Sequence, residues 1–90
     1  MSIEFRNVME EIVLNKVDEI INTVEGCKCE QCRLDIASYV LNRVPTRYVA
    51  TAEGSIISKV DSLDKKFEIQ LVTEIVKAIQ IVQENPHHQK

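Results

Sequence analysis

The sequence predicts an all-α fold, a single small domain of three to four helices. The chain has 90 residues, which is enough for one domain with one core. Its two glycines and two prolines leave few places for turns, so the elements should be few and long. Apolar residues recur at intervals of three and four, the period of an amphipathic helix. We expect this domain to span residues 1–86, followed by a loose tail at 87–90.

The first predicted helix runs from Ile3 to about Val24. Its inner face would be formed by Phe5, Val8, Met9, Ile12, Val13, Val17, Ile20, Ile21 and Val24. Gly26 follows, and we expect it to stop the helix by adopting a positive φ.

The second predicted helix runs from about Glu30 to Arg43. It should end there because Pro45 disfavours helical geometry at the residue before it, Val44. Residues 45–54 then read as an extended connector with room for one short strand.

The last part of the chain predicts a short helix over residues 56–63 and a final helix over 64–85. The apolar face of the final helix is broad: Phe67, Leu71, Val72, Ile75, Val76, Ala78, Ile79, Ile81 and Val82. The first helix is similarly rich in apolar residues. A symmetric homodimer would bury this excess, and a compact monomer is the alternative.

The chemistry-bearing motif is the run Cys27-Lys28-Cys29-Glu30-Gln31-Cys32, which holds all three cysteines of the chain. An odd number at such close spacing argues against a disulfide framework and indicates a reduced protein. Cys29 and Cys32 have the spacing of zinc knuckles, and Cys27 adds a third sulfur. A helix start there would favour thiolates. We therefore expect a structural zinc that staples the turn between the first two helices.

Zinc takes four ligands, so one more is required. Asp35 is the leading candidate, because it lies three residues after Cys32 on the same helical face. His87, His88, a water molecule and a ligand from a partner subunit remain alternatives. A redox pair of Cys29 and Cys32 is a rival to the metal, but such pairs usually follow a strand in a βαβ unit, which is not predicted here. Three unrelated buried cysteines are the other rival.

A second notable stretch, residues 41–49, contains Arg43, Arg47 and Tyr48. Guanidinium groups suit phosphate oxygens, and Arg and Tyr faces can stack on a base. A small anionic nucleotide would fit this chemistry. Alternatively, Tyr48 and Val49 fill the core while the arginines pair with acidic side chains. The acidic candidates are Glu30, Asp35 and Glu53.

Several function classes are disfavoured by what the sequence lacks. It has no Ser/His/Asp arrangement and too few glycines for a nucleoside-triphosphate loop, so we expect no enzyme activity. The net charge is −3 and basic residues are scattered, so direct DNA binding is not expected. No apolar run approaches the about 20 residues of a membrane span, and no secretory signal is visible. We expect a cytoplasmic protein.

Four segments together resemble the late competence development protein ComFB family: Asn7–Glu11, Cys27 to Asp35, Leu41–Val49 and Glu84–Pro86. The resemblance covers nearly the whole chain, and its central part is the most specific. Family members often have two prolines in a turn where this chain has Val44-Pro45-Thr46.

The resemblance implies a largely helical bacterial cytoplasmic protein without catalytic activity, which dimerises and holds zinc through clustered cysteines. Some members of the family are regarded as receptors for cyclic dinucleotide second messengers that affect motility and natural competence. Residues that match the family's motifs are Cys27, Cys29, Cys32, Asp35, Arg43, Pro45, Arg47 and Tyr48.

The resulting hypothesis is a non-enzymatic regulator of competence or motility, a zinc-stabilised homodimer that receives a cyclic dinucleotide. The alternative is a structural adaptor that docks onto the DNA-uptake machinery without a small-molecule ligand.

Overall fold

A computed structural model of the chain describes residues 3–51 and 64–84. These residues are mostly helical, with three helices and one pair of strands. In chain order the elements are β1 (Ile3–Asn7), α1 (Met9–Ile21), α2 (Glu30–Leu41), β2 (Tyr48–Thr51) and α3 (Lys65–Glu84). The short helix expected over 56–63 and the tail at 87–90 lie outside the described residues.

The expectation of a helix beginning at Ile3 was wrong, because residues 3–7 form β1. This strand pairs antiparallel with β2, with Asn7 opposite Tyr48 and an irregularity in register between Ile3 and Arg6. The all-α prediction therefore omitted a two-stranded ribbon. Local apolar spacing could not reveal it, because the paired residues lie 41 to 48 positions apart and their contact does not depend on helical periodicity. The strand expected in the connector is confirmed as β2.

The helices otherwise follow the predicted pattern, with ends that differ by a few residues. α1 ends at Ile21 rather than Val24, and α2 ends at Leu41, where the Asn42 side chain donates to the Ser38 carbonyl over 2.8 Å. Gly26 has the expected positive φ of 130°, but it lies in the segment between α1 and α2 rather than at the helix end.

All three helices contribute to one core. Its buried side chains are Met9, Val13, Val17, Ile21, Cys32, Ile36, Ala37, Val40, Val44, Leu71, Ile75, Ala78, Ile79 and Val82. These include nine of the eighteen residues predicted for the inner faces of the first and final helices, whereas Phe5, which was also placed on an inner face, is 78% exposed. Burial of apolar surface contributes about 25 cal/mol per Å² to stability. An ion pair joins α1 to α2 at the surface, where Arg33 contacts both carboxylate oxygens of Asp18 at 2.6 and 3.1 Å.

Some apolar side chains stay exposed on the single chain. Ile69 of α3 is 67% exposed, and Val76 and Ile81 of the same helix are also exposed. Within the described ranges, every helix is too short or too polar to cross a membrane.

The junction between β1 and α1 is tied to the segment before β2. The Asn7 Oδ1 atom accepts hydrogen bonds from the backbone N–H groups of Met9 (3.1 Å) and Arg47 (2.8 Å). The Val8 N–H donates to the Arg47 carbonyl over 2.8 Å. One asparagine therefore fixes the start of α1 and the backbone of Arg47 together.

Candidate functional site

The three cysteines come together at the start of α2. Cys27 lies in the irregular segment after α1, Cys29 is the N-cap of α2, and Cys32 lies in its first turn. Their sulfur atoms all lie within 4.8 Å of one another. The arrangement brings three ligand atoms into the space of one metal ion, so the predicted cluster is confirmed as a group that could hold a metal.

Local geometry at the helix start places two of these sulfurs. Cys29 has an extended backbone, with φ −71° and ψ 166°, and its Sγ accepts the N–H of Cys32 at 3.4 Å. This is the role that a serine or aspartate oxygen usually takes at an N-cap. Because Cys32 follows within the first helical turn, its sulfur lies on the same side as that of Cys29.

The pKa values of Cys29 and Cys32 are shifted in opposite directions. The N–H of Cys32, followed by the Cys27 thiol, lowers the pKa of Cys29. Burial, followed by hydrogen bonding to Cys27 and Cys29, raises the pKa of Cys32 to about 12. A metal ligand must be a thiolate, so a bound cation would displace the proton of Cys32.

The third sulfur, that of Cys27, belongs to a segment that is hydrogen-bonded to α3. The side-chain carboxamide of Gln83 accepts the N–H of Cys27 at 3.0 Å and donates to its carbonyl at 2.9 Å. A Cβ on Gly26 would lie 2.7 Å from Cδ and Oε1 of Gln83. Gln83 could not be identified from the sequence, since a glutamine in the last turn of a helix does not indicate such a contact.

Asp35 is not part of the metal-capable group in residues 3–51 and 64–84. Its Oδ1 accepts a hydrogen bond from Gln31 Nε2 at 2.9 Å. The two histidines of the tail are outside the described residues. The identity of the fourth ligand therefore stays a prediction. The donor set itself fits zinc, because thiolates are preferred by this ion in structural sites.

The three predicted nucleotide-binding residues each meet a different aromatic ring. The Arg43 guanidinium lies 3.5 Å from the ring centroid of Tyr39, and that of Arg47 lies 4.5 Å from the centroid of Phe67. Tyr48 is 59% exposed and stacks on Phe5 with a centroid distance of 5.5 Å. This exposure contradicts the alternative for Tyr48, whereas Val49 is buried as that alternative expected.

Of these three residues, only Arg47 lines a surface cleft of about 400 Å³ at the start of α3. The cleft is lined by Arg47, Asp64, Lys66, Phe67 and Gln70. It combines two cationic groups, an aromatic face and an amide, which contact phosphates and bases in other proteins, with the carboxylate of Asp64. The apolar spacing places Phe67 on the inner face of the final helix and does not predict its contact with Arg47.

A sequence model described as late competence development protein ComFB matches residues 6–86. The chain belongs to the ComFB family. The match extends from β1 to beyond the end of α3, and it confirms the resemblance read from the four sequence segments.

A solved structure agrees with this ComFB assignment at the level of the fold. It is described as a structural characterisation of the late competence protein ComFB from Bacillus subtilis. The two are 21% identical, with a TM-score of 0.81 over 92% of this chain and 94% of the other. No curated protein sequence matches the chain.

Proposed function

We propose that this ComFB-family protein is a non-enzymatic cytoplasmic regulator of competence or motility, which works as a zinc-stabilised homodimer and receives a cyclic dinucleotide. The proposed binding of a cyclic dinucleotide is supported by the cleft in which the Arg47 guanidinium lies 4.5 Å from the Phe67 ring centroid. The observation that supports the zinc part is the group of three sulfurs within 4.8 Å.

The zinc would be structural. Cys27, Cys29 and Cys32 would hold it, with Asp35 as the proposed fourth ligand, and the ion would tie the segment before α2 to that helix. Structural zinc contributes on the order of 10 kcal/mol in small metal-folded peptides, comparable to the whole stability of a domain. Elemental analysis should find about one zinc per chain, and chelation should lower the melting temperature. A metal-free preparation with the same melting curve would reject the zinc. Unchanged zinc content in Asp35→Ala would remove that residue from the ligand set.

The cyclic dinucleotide would use both properties of the cleft. Arg47 and Lys66 supply positive charge for phosphate oxygens, while the Phe67 face offers a surface for a base. The anionic ligand would compete with the ring for the guanidinium, as the exposed setting of the cleft permits. Arg43 and Tyr48 lie on other aromatic partners, so their contribution requires a ligand that reaches beyond the cleft.

The test is calorimetric titration of purified protein with adenine- and guanine-containing cyclic dinucleotides. Loss of phosphate contacts in Arg47→Ala should weaken binding by about 1.5–3 kcal/mol, which is roughly 10- to 150-fold. Lys77→Ala removes a cation from the exposed face of α3 and should leave the affinity unchanged. Arg43→Ala shows whether that residue contributes. Absence of heat at high ligand excess would reject the receptor proposal.

The homodimer would cover the exposed apolar side chains of α3, which include Ile69, Val76 and Ile81. Sedimentation equilibrium should give twice the chain mass. A monomeric mass at micromolar concentration would remove the dimer from the proposal.

The structural adaptor remains a second candidate because of the ribbon. Phe5 is 78% exposed, and together with Ile3 and Tyr48 it forms an apolar surface without a covering element among the described residues. If the protein docks through this surface, ligand-free extract should yield a competence protein with the wild-type chain but not with Phe5→Ser. Recovery that requires an added cyclic dinucleotide would favour the receptor instead.

A further inference from the structure

The C-terminal turn of α3 is attached to the cysteine segment through one side chain. Gln83 forms two hydrogen bonds to the same residue, accepting the Cys27 N–H at 3.0 Å and donating to its carbonyl at 2.9 Å. We propose that Gln83 is a positioning residue of the metal centre, which fixes the third sulfur from a helix that supplies no ligand among its described residues. This inference rests on the proposed zinc.

The two bonds fix an orientation as well as a distance. They engage the peptide groups on both sides of the Cys27 Cα, as a neighbouring β-strand would. With both peptide planes held, the direction of the Cα–Cβ bond of Cys27 is set, and the sulfur can move only by rotation about that bond. A single hydrogen bond would leave the residue able to turn.

The other two sulfurs do not need this support. Cys29 and Cys32 are held by the first turn of α2, where the N–H of one contacts the sulfur of the other. Cys27 precedes the helix by three residues and has no helical hydrogen bonding of its own. The position of the third donor atom, the Cys27 sulfur, therefore depends on α3 through Gln83.

Gly26 leaves the space that the end of the Gln83 side chain occupies. Its φ is 130°, a conformation that side chains disfavour, and a Cβ there would approach the Gln83 carboxamide to 2.7 Å. The end of the glutamine side chain could move aside, but it would then leave Cys27. The backbone at Gly26 thus makes room for the amide that orients the next residue.

A reciprocal effect follows from linkage. If Gln83 strengthens metal binding, metal binding must strengthen the attachment of the last turn of α3 by the same factor. The metal would then act on two elements, on α2 directly and on α3 through a neutral side chain.

The experiment measures Co²⁺ affinity by competition with a chelator, using the thiolate-to-cobalt absorption of the full chain. Partners outside the ligand set typically change metal affinity about 10- to 100-fold when removed, so Gln83→Ala should weaken binding within that range. Gln83→Met keeps the length of the side chain without the amide, and it should weaken binding similarly. Gln80→Ala is the matched control, an exposed glutamine on the same helix, and should bind as the wild type does.

Two further measurements distinguish a positioning role of Gln83 from a purely structural one. Val82→Ala disturbs the core beside Gln83 and should lower the melting temperature while leaving cobalt affinity unchanged below the transition. Hydrogen exchange should show that metal protects the last turn of α3 in the wild type but not in Gln83→Ala.

The outcomes distinguish this inference from the proposed function. Equal cobalt affinity in wild type, Gln83→Ala and Gln83→Met would overturn the positioning role and leave the metal centre intact. Equal protection of α3 by metal in wild type and Gln83→Ala would overturn it as well. A wild-type chain that binds neither Co²⁺ nor Zn²⁺ would overturn both.

Discussion

Replacement of Asn7 by alanine tests how the β1–α1 junction is held. The Asn7 Oδ1 accepts the N–H of Met9 at 3.1 Å and that of Arg47 at 2.8 Å. Alanine removes the acceptor and leaves both N–H groups without this partner. The start of α1 and the segment that carries Arg47 would lose their common attachment.

The expected loss of stability follows from these two bonds. A net hydrogen bond contributes about 0.5–1.5 kcal/mol, so two bonds give about 2 kcal/mol for Asn7→Ala. Loss of an asparagine at a helix start gives a consistent value, about 0.5–2 kcal/mol. In a domain of this size, a loss of about 2 kcal/mol corresponds to a decrease in melting temperature of roughly 8–16 °C.

Urea unfolding of the metal-loaded protein, followed by circular dichroism, measures this change. The midpoint should fall while the slope of free energy against urea stays constant, because the surface exposed on unfolding is the same. Asn7→Asp retains the acceptor oxygen at a helix start and should lose less than about 0.5 kcal/mol. Asn15→Ala removes an exposed asparagine from α1 and should not destabilise. A loss in Asn7→Ala no larger than that in Asn15→Ala would show that Asn7 does not hold the junction.

Three further perturbations address the core, an ion pair and the cysteine segment. Ile75→Ala empties a fully buried position of α3 and should lower the free energy of unfolding by about 2–5 kcal/mol in urea titrations. Arg33 lowers the pKa of the Asp18 carboxyl below its ordinary value of 3.8, so the ion pair should stabilise the fold above that pH and lose its effect as the pH falls through the lowered pKa. The stability difference between wild type and Asp18→Asn should therefore close below about pH 3.8, and a constant difference would contradict this. Gly26→Ala forces a side chain into a positive-φ conformation and should cost about 1–3 kcal/mol, measured by thermal unfolding.

The features that the sequence could predict depend on short-range spacing. The apolar period located the helices and buried residues such as Val13, Val17 and Leu71, because a helical face is set by neighbours three or four positions away. The cysteine group followed from the same kind of proximity, since Cys29 and Cys32 lie within one turn of a helix start.

The features that were missed depend on contacts between distant segments. β1 forms because its partner lies at residues 48–51, and its apolar residues are compatible with either a strand or a helix. The contacts of Asn7 with Arg47 and of Gln83 with Cys27 span 40 and 56 positions. An amide side chain has no preferred partner type, so residue identity alone cannot indicate which backbone group it will meet.

The positions of the predicted ligand-binding residues illustrate the same limit of prediction from sequence. Arg43 and Arg47 are four residues apart, yet they lie over the rings of Tyr39 and Phe67, one on α2 and the other on α3. The two arginines are therefore close in sequence but lie in different surroundings, and of the two only Arg47 lines the cleft.

Neutral amides attach the backbone of a residue in each candidate site to the fold. Asn7 holds the backbone of Arg47, and Gln83 holds that of Cys27, each through hydrogen bonds to peptide groups. Salt screens interactions between exposed charges, such as the ion pair joining α1 to α2, but it has little effect on neutral hydrogen bonds at these distances. These amide hydrogen bonds should therefore persist as the ionic strength rises. A salt dependence of ligand affinity that leaves the melting temperature unchanged would then report the contact of phosphates with the cations of the cleft, Arg47 and Lys66.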